Sequence, residues 1–232
     1  MPDSNYPRIR SPRVNRMVAT VQRTRWRIAT RSLAVAKRLI DLAVVVPALV
    51  LLSPLFAAVA LAIRLYDRGP VLFWQKRVGL DGREFPFPKF RSMRVNAEAL
   101  RREIEALNQH GAAGVTFKMK RDPRITPVGR FIRRFSIDEL PQLWCVLRGD
   151  MTLVGPRPPI PSEVARYGLK DRYRLSVKPG LTCIWQVSGR SEIPFEQQVE
   201  LDIEYIQRQS IAADVKLLAR TVPAVVRGRG AY

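Results

Sequence analysis

Leu42-Ala-Val-Val-Val-Pro47-Ala-Leu-Val-Leu-Leu-Ser53-Pro54-Leu-Phe-Ala-Ala-Val-Ala-Leu-Ala-Ile63 is a run of 22 residues without a charged side chain. About 20 apolar residues suffice for a helix to cross a bilayer, so a membrane segment is the default reading. It lies too far from the N-terminus and is too long for a cleaved signal peptide, and no small-residue cleavage site follows it. Two prolines interrupt it. Proline removes a backbone donor and clashes one turn back, so a kink is expected near Ser53. Cations flank both ends, with Lys37 and Arg38 before and Arg64, Arg68, Lys76 and Arg77 after, so the positive-inside rule selects no orientation. Two arrangements stand at this point: an ordinary kinked span, or a helix-break-helix that dips into one leaflet and returns. In the second, Ser53 or neighbouring protein would satisfy the carbonyls freed at Pro54.

The rest of the chain is strongly basic, with 40 Lys and Arg against 20 Asp and Glu and a formal charge of +20. Such an excess favours phosphate-bearing partners, whether nucleic acid, anionic lipid or nucleotide. At 47% apolar residues, a 232-residue chain can bury a core. Cys145 and Cys183 have no CxxC spacing and His110 has no neighbouring ligand partner, which argues against zinc and for two reduced core cysteines. Neither a P-loop nor a GxGxxG is present, so nothing supports nucleoside triphosphate hydrolysis or a dinucleotide cofactor.

Residues 1–36 carry eight arginines and one acid, Asp3, and read as a flexible or membrane-surface arm whose later part, Trp26 to Val35, can continue as a basic helix. After the apolar run, Gly69-Pro70 marks a turn, Val71 to Trp74 a strand, Gly79 to Gly82 a second turn, and Glu84 to Met93 another extended stretch. Alternation places Phe85, Phe87, Lys89 and Arg91 on one face, either as a solvated edge, which Pro86 and Pro88 favour, or as a phosphate site. Asn96 to Asn108 reads as a charged surface helix, Ile184 to Val187 as a strand, and Ile211 to Val222 as an amphipathic helix that lies on the membrane plane or packs on the core.

Ser136-Ile-Asp-Glu-Leu-Pro141 places two adjacent carboxylates in this cationic chain. Ser136 and Glu139 have capping-box spacing for a helix running to Val146, with Leu140, Leu143, Trp144 and Leu147 on its buried side. A cap does not explain the surroundings, however. Lys118, Lys120, Arg121, Arg124, Arg130, Arg133 and Arg134 precede the pair, and Arg148 and Gly155-Pro-Arg-Pro-Pro159 follow it. Cations on both sides of paired carboxylates suit a phosphorylated, metal-bound substrate. Adjacent helix positions diverge by roughly 100°, so the two carboxylates point to different jobs. The prolines around Arg157 restrict its backbone, which suits bidentate phosphate recognition.

These stretches resemble the bacterial sugar transferases, also called monotopic phosphoglycosyl transferases. The likeness rests on Lys37-Arg-Leu-Ile-Asp41 before the Ser-Pro-broken helix, Lys89-Phe-Arg-Ser-Met93, Asp122-Pro-Arg-Ile-Thr126 with Gly129, and Ser136-Ile-Asp-Glu-Leu-Pro-Gln142. Arg148-Gly-Asp-Met151, Gly155-Pro-Arg-Pro158, Lys178-Pro-Gly-Leu-Thr182 and Trp185-Gln-Val-Ser-Gly-Arg190 continue it in order. The chain is similar to the short exopolysaccharide-initiating type.

The resemblance implies a fold of the α/β (α+β) class: a compact catalytic domain with an N-terminal re-entrant membrane helix and amphipathic surface helices. Residues 37–68 would form the membrane helix-break-helix, kinked at Ser53 and Pro54, and 69–232 the catalytic domain on the cytoplasmic face of the bacterial inner membrane. The implied reaction moves a hexose-1-phosphate from a UDP-sugar to undecaprenyl phosphate with Mg²⁺, releasing UMP, as the first membrane step of exopolysaccharide or related glycan synthesis. Nucleic acid is not an implied partner. By the same resemblance Asp138 is the nucleophile, Glu139 the Mg²⁺ ligand, and Lys89, Arg91, Arg133 and Arg157 bind phosphate. Cys183 and Phe135 depart from the residues common in that family, Gly and Thr or Leu. The competing reading is a non-catalytic membrane-anchored basic binding module, which needs only the charge.

Overall fold

A computed structural model describes the backbone of residues 12–97, 122–189 and 192–227, and within these the side chains of all but 12–31, 226 and 227. The expected surface helix of Asn96 to Asn108 therefore lies almost wholly outside the described residues, as do His110, Lys118, Lys120, Arg121 and Arg190.

Helix α1 (Pro12–Leu51) runs into the apolar stretch and ends where the second proline dictates, and α2 (Ser53–Asp67) starts at once. The two axes differ by 56°. Pro54 has no N–H to give the carbonyl four residues back, which is that of Val50, and the Ser53 hydroxyl donates to that carbonyl instead at 2.7 Å. No single helix among the described residues is long and apolar enough to cross a membrane, although the bent pair passes by length and composition.

Both arms return to the same body. Val45 of α1 is fully buried in the main core with Phe85, Phe87, Leu143, Val146, Met151, Leu153 and Tyr205, while Val59 and Ile63 of α2 pack with Phe90 and Ile132 in a second cluster. Polar bonds reinforce the first attachment. Lys37 reaches Asp214 at 2.6 Å, the Tyr205 hydroxyl at 2.8 Å and the Val154 carbonyl at 3.0 Å. One turn on, Asp41 accepts from the Leu153 amide and the Thr152 hydroxyl.

The domain itself is mixed α and β. Strands β1 (Leu72–Val78) and β2 (Glu84–Phe90) form an antiparallel hairpin in which Arg77 faces Phe85 and Phe73 faces Lys89. Its turn carries Asp81 and Gly82 at positive φ. Helix α3 (Pro127–Arg134) is capped by the Thr126 hydroxyl, which accepts from the Gly129 amide at 2.9 Å. Gly129 lies so close to the Ser92 carbonyl that a Cβ would sit 1.9 Å from its oxygen, so no larger residue fits.

A 3-10 segment (Ile137–Gln142) follows, then α4 (Leu143–Arg148). The expected single helix from Ser136 is therefore divided, because Pro141 cannot continue α-helical bonding from the first turn. Trp144, expected to be buried, is 49% exposed; Cys145 and Val146 supply the buried side with Leu143. Strand β3 (Thr152–Val154) pairs in parallel with β4 (Gly180–Thr182). Helices α5 (Ile184–Ser188), α6 (Phe195–Gln207) and α7 (Ile211–Arg227) close the core. The expected strand at Ile184 to Val187 is thus a helix: four residues are too few for period 2 and period 3.6 to be told apart. Helix α7 packs on the core through Asp214 and Leu217 while Val215 and Val222 stay exposed. Both cysteines are free and buried, as expected.

Candidate active site

Ser136 turns the chain out of α3 with φ of 55°, a left-handed conformation that costs a non-glycine residue on the order of 1 kcal/mol. Its side chain makes no capping bond, and the capping box expected with Glu139 does not form. The turn instead points the Glu139 carboxylate at cations. Lys89 donates to Oε1 at 2.8 Å, and Arg157 donates to both oxygens, at 2.7 Å to Oε1 and 3.3 Å to Oε2.

Each partner arrives on a different element. Lys89 stands at the end of β2, two residues beyond Phe87, and so shares its face. Arg157 sits in the turn after β3, held because Gly155 and Gly180 approach closely: the Gly155 amide donates to the Thr182 carbonyl and the Gly180 amide to that of Pro156. A Cβ on Gly180 would lie 2.0 Å from the Gly155 nitrogen.

The two carboxylates have opposite electrostatic settings. Burial pushes Asp138 up to about 6, and Lys89 counteracts it, Glu139 adds to it, and Arg133 and Arg157 pull it back. Among the described residues no donor hydrogen-bonds its carboxylate. Glu139 is also penalised by burial, but Arg157 and Lys89 outweigh that and hold it well below the usual carboxylate range. Burial lowers Lys89, with Glu139 opposing. Arg157 is raised, because Glu139 more than offsets its burial.

Lys89, Arg133, Asp138, Glu139 and Arg157 are thereby brought together. Arg91 is not with them: it ion-pairs with Asp67 at the end of α2, near Thr126 and Val128. Two residues along a strand can share a face and still diverge once the strand ends, and β2 ends at Phe90. Ser53 and Pro54 form the helix break, on a different part of the molecule.

Several buried polar residues had no reading as partners in the sequence: Lys37 with Asp214, Asp41 with β3, and Arg174 with Asp202 at 2.7 Å. A cation spaced one turn from an acid just before an apolar helix was the available signal for the first two.

No group of three His, Cys, Asp or Glu side chains able to hold a metal occurs among the described residues. Adjacent carboxylates without nitrogen or sulfur ligands nearby nevertheless fit a hard cation such as Mg²⁺, which binds through one or two carboxylates and takes its other ligands from water and phosphate. An ionised but weakly held carboxylate beside a cation-clamped one can attack a phosphorus whose charge the cations neutralise. That is the chemistry of a phosphoryl-group transferase.

Residues 32–228 match the family model described as bacterial sugar transferase, and the chain belongs to this family. A galactosyl transferase, CpsE, from Streptococcus agalactiae is 50% identical over 166 residues, 71% of this chain and 36% of the relative. An undecaprenyl-phosphate galactose phosphotransferase from Salmonella typhimurium is 42% identical over 88% of this chain and 43% of its own length. The exopolysaccharide production protein ExoY of Sinorhizobium fredii is 37% identical over 85% of this chain and 88% of its own. The chain thus spans less than half the length of the first two.

Proposed function

We propose that the chain transfers a hexose-1-phosphate from a UDP-sugar to undecaprenyl phosphate, as the opening membrane step of exopolysaccharide or related glycan synthesis. The observation that carries this reading is the division of labour in one pair: Asp138 buried, raised to about 6 by that burial and free of hydrogen bonds from the described residues, Glu139 locked as an anion by Lys89 and Arg157. The name of the Salmonella relative supplies undecaprenyl phosphate and a hexose, and the UDP-linked donor is what the family resemblance implies.

In the proposed first step an Asp138 oxygen attacks the sugar-bearing phosphorus. The bond from that phosphorus to the bridging oxygen breaks, and UMP leaves with the electron pair. An oxygen of the polyprenyl phosphate then attacks the same phosphorus, breaks the aspartyl–phosphorus bond and returns Asp138 as a carboxylate. Arg157, Arg133 and Lys89 neutralise the diphosphate. Glu139 would be the Mg²⁺ ligand, and bound Mg²⁺ would offset charge on the departing phosphate.

The bent pair is proposed to be re-entrant, with the catalytic domain on the cytoplasmic face of the inner membrane. Support comes from α1 and α2 both packing on one domain, and from the bare apolar side chains beside the bend and along α2, Val50, Leu51, Leu61 and Leu65, each more than half exposed.

The test is nucleotide release from purified chain in lipid with Mg²⁺, undecaprenyl phosphate and a panel of UDP-sugars, with Asp138→Asn alongside. UMP formed by the native chain and lost in the variant supports the reading. Release of UDP would replace it by direct glycosyl transfer, and activity surviving in Asp138→Asn would remove Asp138 as nucleophile.

A further inference from the structure

Arg77, on β1, belongs to no step above, yet it touches the supports of both cations that hold Glu139. Its guanidinium lies over the Phe87 ring, 5.1 Å from the centroid, and the Lys89 ammonium lies 5.6 Å from the centroid of the same ring. Phe87 is 1% exposed and cannot shift without disturbing the core. On its other side, Arg77 Nη1 donates to the carbonyl of Pro158 at 2.9 Å. Pro158 is the residue after Arg157, and the next amide along β1, that of Val78, donates to Pro159 at 2.9 Å. The contacts close a ring: Arg77 to Phe87, Phe87 to Lys89, Lys89 to Glu139, Glu139 to Arg157, and through Pro158 back to Arg77.

A charge in this position is costly. Burial, and then the neighbouring Arg157 guanidinium, push Arg77 down to about 10, and its buried Nε has no hydrogen-bond partner among the described residues. A methionine would cover Phe87 without that cost. What it could not supply is the donor to Pro158.

We infer that Arg77 is a positioning residue of the phosphate site, aiming Arg157 through the Pro158 carbonyl and Lys89 through the shared Phe87 ring, without touching the substrate. The inference rests on the transferase reading only for the identity of the ligand. Misplacing such groups by about 1 Å costs around a hundredfold in rate when they stabilise charge in the transition state.

The full chain in phospholipid nanodiscs is compared as native, Arg77→Met, Arg77→Lys, Arg157→Gln and the Arg77→Met/Arg157→Gln double variant. Two readouts are taken: UDP binding with Mg²⁺ by calorimetry, and steady-state UMP release, with thermal melts to show which variants are folded. Arg77→Met is expected to weaken UDP binding several-fold and to lower kcat/KM about thirtyfold, chiefly through kcat. Arg77→Lys keeps a donor for Pro158 and is expected to recover most of the loss. Arg157→Gln should cost much less in the Arg77→Met background than alone, because the two act as one unit. Folded Arg77→Met with native binding and kcat/KM, or full additivity in both readouts, overturns the inference. Should Arg77→Met not fold, Arg77→Gln replaces it in the cycle with Arg157→Gln, additivity in both readouts again overturning the inference. Native protein that binds UDP but releases no UMP defeats the transferase reading, and the binding cycle still judges Arg77. Native protein that binds no UDP overturns both.

Discussion

The Ser53 hydroxyl donates to the Val50 carbonyl, the acceptor that Pro54 leaves without its usual backbone donor. The break in the apolar helix is thus built from two consecutive residues, one that removes a hydrogen bond and one that replaces it. Replacing Pro54 and Pro47 together by leucine restores both donors and should straighten the pair into a span. Cysteine labelling of the N-terminus and the catalytic domain from each side of sealed vesicles checks this. The native ends should label from one side and those of the double variant from opposite sides; native ends labelling on opposite sides would end the re-entrant proposal.

Asp138 offers a pH test on stability. Its folded value, about 6, lies above the ordinary 3.8. The native state therefore holds its proton more tightly than the unfolded chain does, so the carboxylate destabilises the fold once ionised. That penalty is absent below about pH 4, develops between 4 and 6, and is complete above 6. Asp138→Asn should melt higher than the native chain at pH 7.5, by an amount on the order of 2 kcal/mol, and at the same temperature near pH 4. The same variant should release no UMP.

Glu139 has the opposite sign. Held well below 4.5 by Arg157 and Lys89, it contributes stability that is complete above the unfolded value and is lost as pH falls through the folded one. Glu139→Gln leaves two buried cations short of an anion and should lose about 3 kcal/mol at pH 7. Denaturant melts of the native chain and this variant measure the difference, which should narrow in acid.

Lys37 and Asp214 should behave as a unit. Lys37→Met leaves Asp214 buried beside the Tyr205 hydroxyl and is expected to cost about 3 kcal/mol, whereas Lys37→Met with Asp214→Leu should recover much of that loss. A double-mutant cycle by thermal melting measures it. Full additivity would mean that the pair is not coupled.

Arg91 and Asp67 give a fifth comparison. Arg91→Gln and Asp67→Asn should lower the melting temperature by similar, non-additive amounts, while Asp67→Asn leaves the donor KM within about twofold. A KM that rises severalfold with Asp67→Asn would place this pair at the substrate after all.

What sequence alone determined here is what local chemistry controls. The Ser53-Pro54 step marks a break, although Pro47 in the same run stays inside α1, the glycines near 79–82 permit a turn, and the restricted backbone around Arg157 follows from its prolines. The adjacency of Asp138 and Glu139 among cations was likewise legible as a candidate site. Local pattern failed at Ile184 to Val187, too short to show a period, and at Ser136, whose left-handed backbone cancels the capping box its spacing suggests.

Tertiary structure alone decided which cation meets which acid. Lys89 and Glu139 are 50 residues apart and Lys37 and Asp214 are 177 apart, so nothing in either neighbourhood specifies the pairing. Lys89 and Arg91, two positions apart, go to Glu139 and Asp67 because the strand that would keep them on one face ends between them. Charge supplies many equally attractive partners in a chain of this composition. Packing chooses among them, since Val45, Phe87 and Ile132 have few places to be buried, and the polar groups beside them take the partners that those burials leave within reach.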